Sequence, residues 1–148
     1  MSGAKRPKRP IRRTYRETGI GEFVSLHRSP EAEDAIRRDF ESIVNMSPAK
    51  LRDWLETDES KKVGFTRRGE SESVGRQSAR RILEIMATPA EDLSEADYSH
   101  MKKVIGYGRR HLAQRPWGDV TRTRWRWSLM NWGHDPLVGR GGDDSGLG

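Results

Sequence analysis

The sequence predicts an all-α fold: a small bundle of about five helices over residues 29–137, between a disordered basic arm (1–28) and a flexible Gly-rich tail (138–148). Three observations lead there. Apolar residues in the middle of the chain recur at three- and four-residue spacing, the helical period. Ser-Pro pairs, lone Ser and Gly stand where those periodic stretches begin and end. The segment KRPKRPIRR and the Gly- and Asp-rich end, Gly139 to Gly148, show no such period.

Ser29-Pro30 reads as an N-cap followed by proline at the first helical position. Ala32, Ala35, Ile36, Phe40, Ile43 and Val44 then carry a first helix to about Asn45. Ser47-Pro48 repeats the signal, and Leu51, Trp54 and Leu55 make a short helix ending near Thr57. The polar stretch DESKKVGFTRRGESES reads as a loop. It is long for a compact domain, so it is functional or mobile. A third helix spans about 74–87, with Ser73 as N-cap and Ala79, Ile82, Leu83 and Met86 on one face. Ser94 with Asp97 has the capping-box pattern and opens a fourth helix to about Gln114, burying Met101, Ile105, Gly108 and Leu112. Glycines inside a helix cost about 1 kcal/mol each against Ala. Gly106 and Gly108 therefore predict a close helix contact or a kink.

The stretch 120–132 is ambiguous. Trp125, Leu129 and Trp132 fit one helix face, whereas Trp125, Trp127 and Leu129 fit a strand. Asp119 as N-cap and Gly133 at the C′ position decide for helix. On that face Trp125 and Trp132 belong to the core, and Trp117 and Trp127 to a partly exposed surface.

Charge is distributed in blocks. The 148 residues carry 28 Lys and Arg against 22 Asp and Glu, a net +6. Residues 1–16, with Lys5, Arg6, Lys8, Arg9, Arg12, Arg13 and Arg16, hold +7. Residues 17–99 hold −6, residues 100–126 hold +7, and residues 127–148 hold −2. Such asymmetry steers an anionic partner unless the acidic block folds against the second basic block and neutralises it. There is no Cys, which excludes disulfide scaffolds and thiol catalysis. No apolar run is long enough for a membrane span.

The strings MSPAKLRDWLETDESKKVG, GESESVGRQSARRILEIM, HMKKVIGYGRRHLAQRP and TRWRWSLMNWGHDP occur in this order. Together they resemble the bacterial and fungal domain of unknown function 3140 family, over about residues 46–137. RWRWSLMNWGHDP is the most specific piece. The resemblance implies a small, mostly helical domain. Members of that family are often labelled DNA-binding, and the family offers no catalytic residue to carry over. The arm and the first helix lie outside the resemblance, and Trp117 stands where a smaller or polar residue is expected.

Four groups of side chains are candidates for nucleic-acid contact. The arm, Lys5, Arg6, Lys8, Arg9, Arg12 and Arg13, suits phosphate tracking or an import signal, and equally a solubilising terminus. On the fourth helix, Lys102 with Arg109 and Lys103 with Arg110 form two rows, each pair about 20° apart around the axis. Such rows follow a phosphate backbone or are simply solvated. On the third helix, Arg76, Gln77, Arg80 and Arg81 are residue types that read base edges, although Arg80 and Glu84 can also pair at i, i+4. Arg122, Arg124 and Arg126 interleave with Trp125 and Trp127, a mixture that suits single-stranded nucleic acid or ordinary cation–π packing.

Other motifs point to structure. His134-Asp135 sits in Gly133-His134-Asp135-Pro136, a capping or turn sequence. His100 and His111 are about 16 Å apart along one helix and cannot share a metal. GESESVG matches no phosphate-loop pattern, and Ser73 as N-cap explains it. The expected function is a cytoplasmic, non-enzymatic DNA-binding protein of low sequence specificity. No cofactor, metal or membrane is expected. A module docking a protein through the Trp-rich segment is the alternative.

Overall fold

The computed structural model describes residues 28–138. Apart from Arg28 and Val138, the arm and the tail expected from the sequence lie outside these residues. Six α-helices follow one another: α1 (Pro30–Ile43), α2 (Pro48–Leu55), α3 (Asp58–Lys62), α4 (Val74–Met86), α5 (Glu95–Leu112) and α6 (Arg124–Asn131). A 3-10 turn, Ala90–Asp92, links α4 to α5, and there is no strand among the described residues. None of the described helices is long and apolar enough to cross a membrane.

Local signals set most helix starts. Ser29, Ser47, Ser73 and Ser94 each accept a hydrogen bond from the backbone N–H three residues on, satisfying a donor left free at a helix N-terminus. Ser94 and Asp97 complete the capping box reciprocally. Gly133 ends α6 at φ +87°, with Gly133 N–H donating to Met130 O and His134 N–H to Leu129 O. That pair of bonds is a Schellman closure, which requires a left-handed residue at this point.

α1 lies beside α5 in the same direction. Arg28 reaches Glu95 at 2.7 Å where the two helices start. Near their ends a Cβ on Gly108 would stand 2.6 Å from Ile43 Cγ1. Gly108 is thus the close helix contact that the sequence predicts, because only a residue without a side chain admits Ile43. α2, α4 and the last turn of α6 close the core, in which Phe40, Leu51, Ile82, Tyr98, Met101 and Val104 are buried in one cluster.

Two expectations are corrected. The stretch 58–73 is not wholly a loop. Thr57 caps α3 through a bond from Ser60 N–H, and α3 is pinned by a buried polar network. Ser60 Oγ donates to Asn131 Oδ1 at 2.7 Å, and Arg76 Nη1 donates to Ser60 Oγ and to Leu55 O, each at 2.7 Å. Trp54 Nε1 donates to the same Asn131 oxygen. Second, α6 starts later than expected. Its N-cap is Thr123, whereas Asp119 accepts from the N–H and hydroxyl of Thr121 in the preceding turn.

Candidate nucleic-acid interface

α5 and α6 are joined by a ladder of rings. His100 stacks on Trp132 at 6.4 Å between centroids, Trp132 on Tyr107 at 4.3 Å, Tyr107 on His111 at 5.1 Å and His111 on Trp125 at 5.6 Å. The Arg115 guanidinium closes the far end, 5.5 Å from the Trp125 ring. His111 Nε2–H donates to Trp125 O, and Trp125 Nε1–H donates back to His111 O. Trp132 is buried as expected, while Trp125 is half-buried within the ladder. Trp127 is half-buried, and Trp117 is 99% exposed.

This packing turns the cations of residues 100–126 outward. Lys102, Lys103, Arg110, Arg115, Arg122 and Arg124 are exposed, and none forms an ion pair among the described residues. Arg124 donates to Lys62 O. Arg109 meets Asp39 at 3.3 Å. Arg126 is engaged with Asp135 through both Nε and Nη2, at 3.0 and 2.9 Å. His134 Nδ1–H donates to Ile43 O, and Asp135 exchanges two bonds with Asn45. The His134-Asp135 turn is thus a tie between the chain after α6 and the end of α1. Arg126, held in that tie, is a structural residue rather than a free cation.

The third-helix candidates separate. Arg76 is 8% exposed, and its guanidinium is taken up by Leu55 O, Ser60 and Glu72. It is a core residue and offers no edge to a base. Arg80 is exposed and pairs with Glu72, not with Glu84 four residues on. Gln77 Nε2 donates to Glu70 and to Glu72 O. The bond from Arg80 holds the Glu72 carboxyl below the ordinary carboxylate range, with the Arg76 charge adding to it.

Gln77 nevertheless faces an open cleft of about 210 Å³ between α4 and α5. Arg67, Arg81 and Lys103 bring three cations to it, and Trp132 and Val74 an apolar wall. Ser78 and His100 complete it, with Ser78 Oγ 2.9 Å from His100 Nε2. Burial, followed by the Arg81 and Lys103 charges, holds the His100 imidazole below its ordinary range, so the ring is neutral near pH 7. Arg81 is steadied by Asp97 at 2.9 Å. Against the opposing effect of burial, bonds from Ser94 and Arg81 hold Asp97 low and ionised. No cluster of His, Asp and Glu among the described residues could hold a metal ion.

Of the residues read from the sequence as nucleic-acid contacts, the structure brings Gln77, Arg81 and Lys103 together in the cleft. Lys102, Arg109, Arg110 and Arg124 lie on the exposed surface outside it. Arg67 and His100 were missed as partners. Arg81 lies four residues after Gln77, which puts both on one face of α4. Lys5, Arg6, Lys8, Arg9, Arg12 and Arg13 lie outside the described residues.

No significant match is found among curated proteins or solved structures. A family model matches residues 39–130, beginning inside α1 rather than at residue 46. That family is described as protein of unknown function (DUF3140), and with more than half its length matched the chain belongs to it.

Proposed function

We propose that the protein is a non-enzymatic nucleic-acid-binding protein that holds DNA mainly through its backbone phosphates. One observation carries the reading: six exposed cations between Lys102 and Arg124 have no carboxylate partner among the described residues. Among the described residues, the acidic segment before them contributes Asp39 alone to ion pairs with this block. Glu72 and Asp97 of that segment pair, among the described residues, with its own Arg80 and Arg81. An unneutralised cationic surface spread over α5, the start of α6 and the connection between them releases counterions from a phosphate backbone, a favourable term independent of sequence. Residues 1–16 add +7 to the same balance. On this reading base recognition is minor, since Arg76 is internal. The expected compartment is the cytoplasm, where nucleic acid is accessible.

The test is fluorescence anisotropy with a labelled duplex over a salt series. If about seven phosphates are neutralised, log K falls with log salt with a slope of about −6. Absence of binding at low salt, or binding indifferent to salt, overturns the reading. A protein-docking role is the second reading, favoured by Trp117 at 99% and Phe65 at 72% exposure. Exposed aromatics of this kind act as interface anchors. Co-purification of a protein after nuclease treatment, lost in Trp117→Ala, would select it.

A further inference from the structure

The cleft between α4 and α5 gathers cations from three segments, Arg67 before α4, Arg81 on α4 and Lys103 on α5, while Gln77 on its wall already donates to Glu70 and to Glu72 O. No carboxylate lines it. Two of its cations are steadied from outside, Arg67 by Glu70 at 3.3 Å and Arg81 by Asp97 at 2.9 Å. Lys103 has no ion pair among the described residues, so it is the charge left for a ligand. Groups held in place before binding lose little freedom when a ligand arrives.

We propose that this cleft is a binding site for a phosphomonoester, the phosphoryl group entering among the cations and its carbon skeleton lying against Val74 and Trp132. A phosphomonoester has one ester arm and up to two charges, so it enters a recess end-on. An internal phosphodiester has two arms and one charge, and it runs across a surface. Arg67, Arg81 and Lys103 line one recess from three segments of the chain. The site is thus distinct from the surface rows that hold a backbone, and of those rows only Lys103 lines it.

His100 reports occupancy. It faces Ser78 and Arg81 from α4, Asp97 and Lys103 from its own helix, and the Trp132 ring. A bound dianion opposes the two cations and so raises the imidazole pKa.

The test follows the His100 ring protons by NMR in the full chain at constant ionic strength. Inorganic phosphate and a nucleoside 5′-monophosphate are added separately. Both should produce a saturable shift, together with an upward move of the His100 titration. Lys103→Gln should weaken the mononucleotide about tenfold, as expected for removing one charge-assisted bond. Lys50→Gln, the same charge change on α2, should leave it unaltered. A 5′-phosphorylated single-stranded oligonucleotide should displace the mononucleotide, and its 5′-hydroxyl counterpart should not. Equal displacement by the two would assign the cleft to internal phosphodiesters and overturn the proposal. So would an equal effect of Lys50→Gln, or no saturation by about 20 mM, a concentration at which even millimolar sites fill. Loss of salt-dependent duplex binding would bear on the surface rows and leave these outcomes intact.

Discussion

Arg76→Met separates the structural account of α4 from a base-reading one. The guanidinium makes three bonds: Nη1 to Leu55 O and to Ser60 Oγ, each at 2.7 Å, and Nε to Glu72 at 3.1 Å. Met keeps most of the apolar stem but supplies no donor. Hydrogen bonds to charged groups contribute about 1.5–3 kcal/mol each. Removing one partner of a buried charged cluster costs about 3–5 kcal/mol, partly offset because the cation no longer needs desolvation. Glu72 retains Arg80, which limits the damage on that side. The expected destabilisation is therefore about 3 kcal/mol. For a domain of this size it corresponds to a melting point about 12 °C lower, at about 4 °C per kcal/mol. Urea unfolding followed by circular dichroism measures it, and duplex affinity measured well below the melting point should be unchanged. A destabilisation below about 1 kcal/mol combined with weakened DNA binding would refute the reasoning, since it would mean that Arg76 serves a ligand rather than the core.

Burial is the first cause holding both His100 and His134 below the ordinary histidine range, so their folded pKa values lie under the unfolded one. The stability they contribute is complete above about pH 6.5. It is lost as pH falls through the lower folded values, because the unfolded chain binds protons first. Unfolding free energies at pH 7.5, 6 and 5 should fall in that order, and a flat or rising series would contradict this. Gly133→Ala puts a side chain at φ +87° with its Cβ 3.0 Å from Val44 Cγ1, and should lower stability by roughly 1–2 kcal/mol in thermal unfolding. Trp117→Ala should alter stability by less than about 0.5 kcal/mol. Trp132→Ala, which removes a buried ring from the ladder, should cost about 3–5 kcal/mol.

How much was legible depended on whether the cause was local. Ser29, Ser47, Ser73 and Ser94 cap helices through bonds that span three residues, so their meaning is visible in sequence. Gly108 was legible as a close approach, although not its partner Ile43. Thr57 and α3 were hidden, because five polar residues carry no apolar stripe, and α3 is held by Ser60 and Asn131, 71 positions apart. The same network decides which face of α4 turns inward. From spacing alone, Arg76 with Arg80 and Gln77 with Arg81 form two equivalent polar pairs. Asn131 and Ser60 take Arg76 into the core and leave Gln77 and Arg81 to the cleft. The cleft needs α4, α5 and the turn after α6 in place, and no single segment announces it. The second basic block was visible as charge. Its freedom from the acidic segment was not, since that depends on which carboxylates reach it.

The central claim is that this block presents an unneutralised surface to nucleic acid. The most direct measurement compares the salt dependence of duplex binding by the parent chain and by the variant Lys102→Gln, Arg110→Gln and Arg122→Gln. None of the three residues has an ion pair among the described residues, so the melting point should hold. The account predicts that the log–log slope becomes shallower by about 2.7, at about 0.9 for each phosphate that the variant leaves unneutralised. Equal slopes for the two proteins would contradict it.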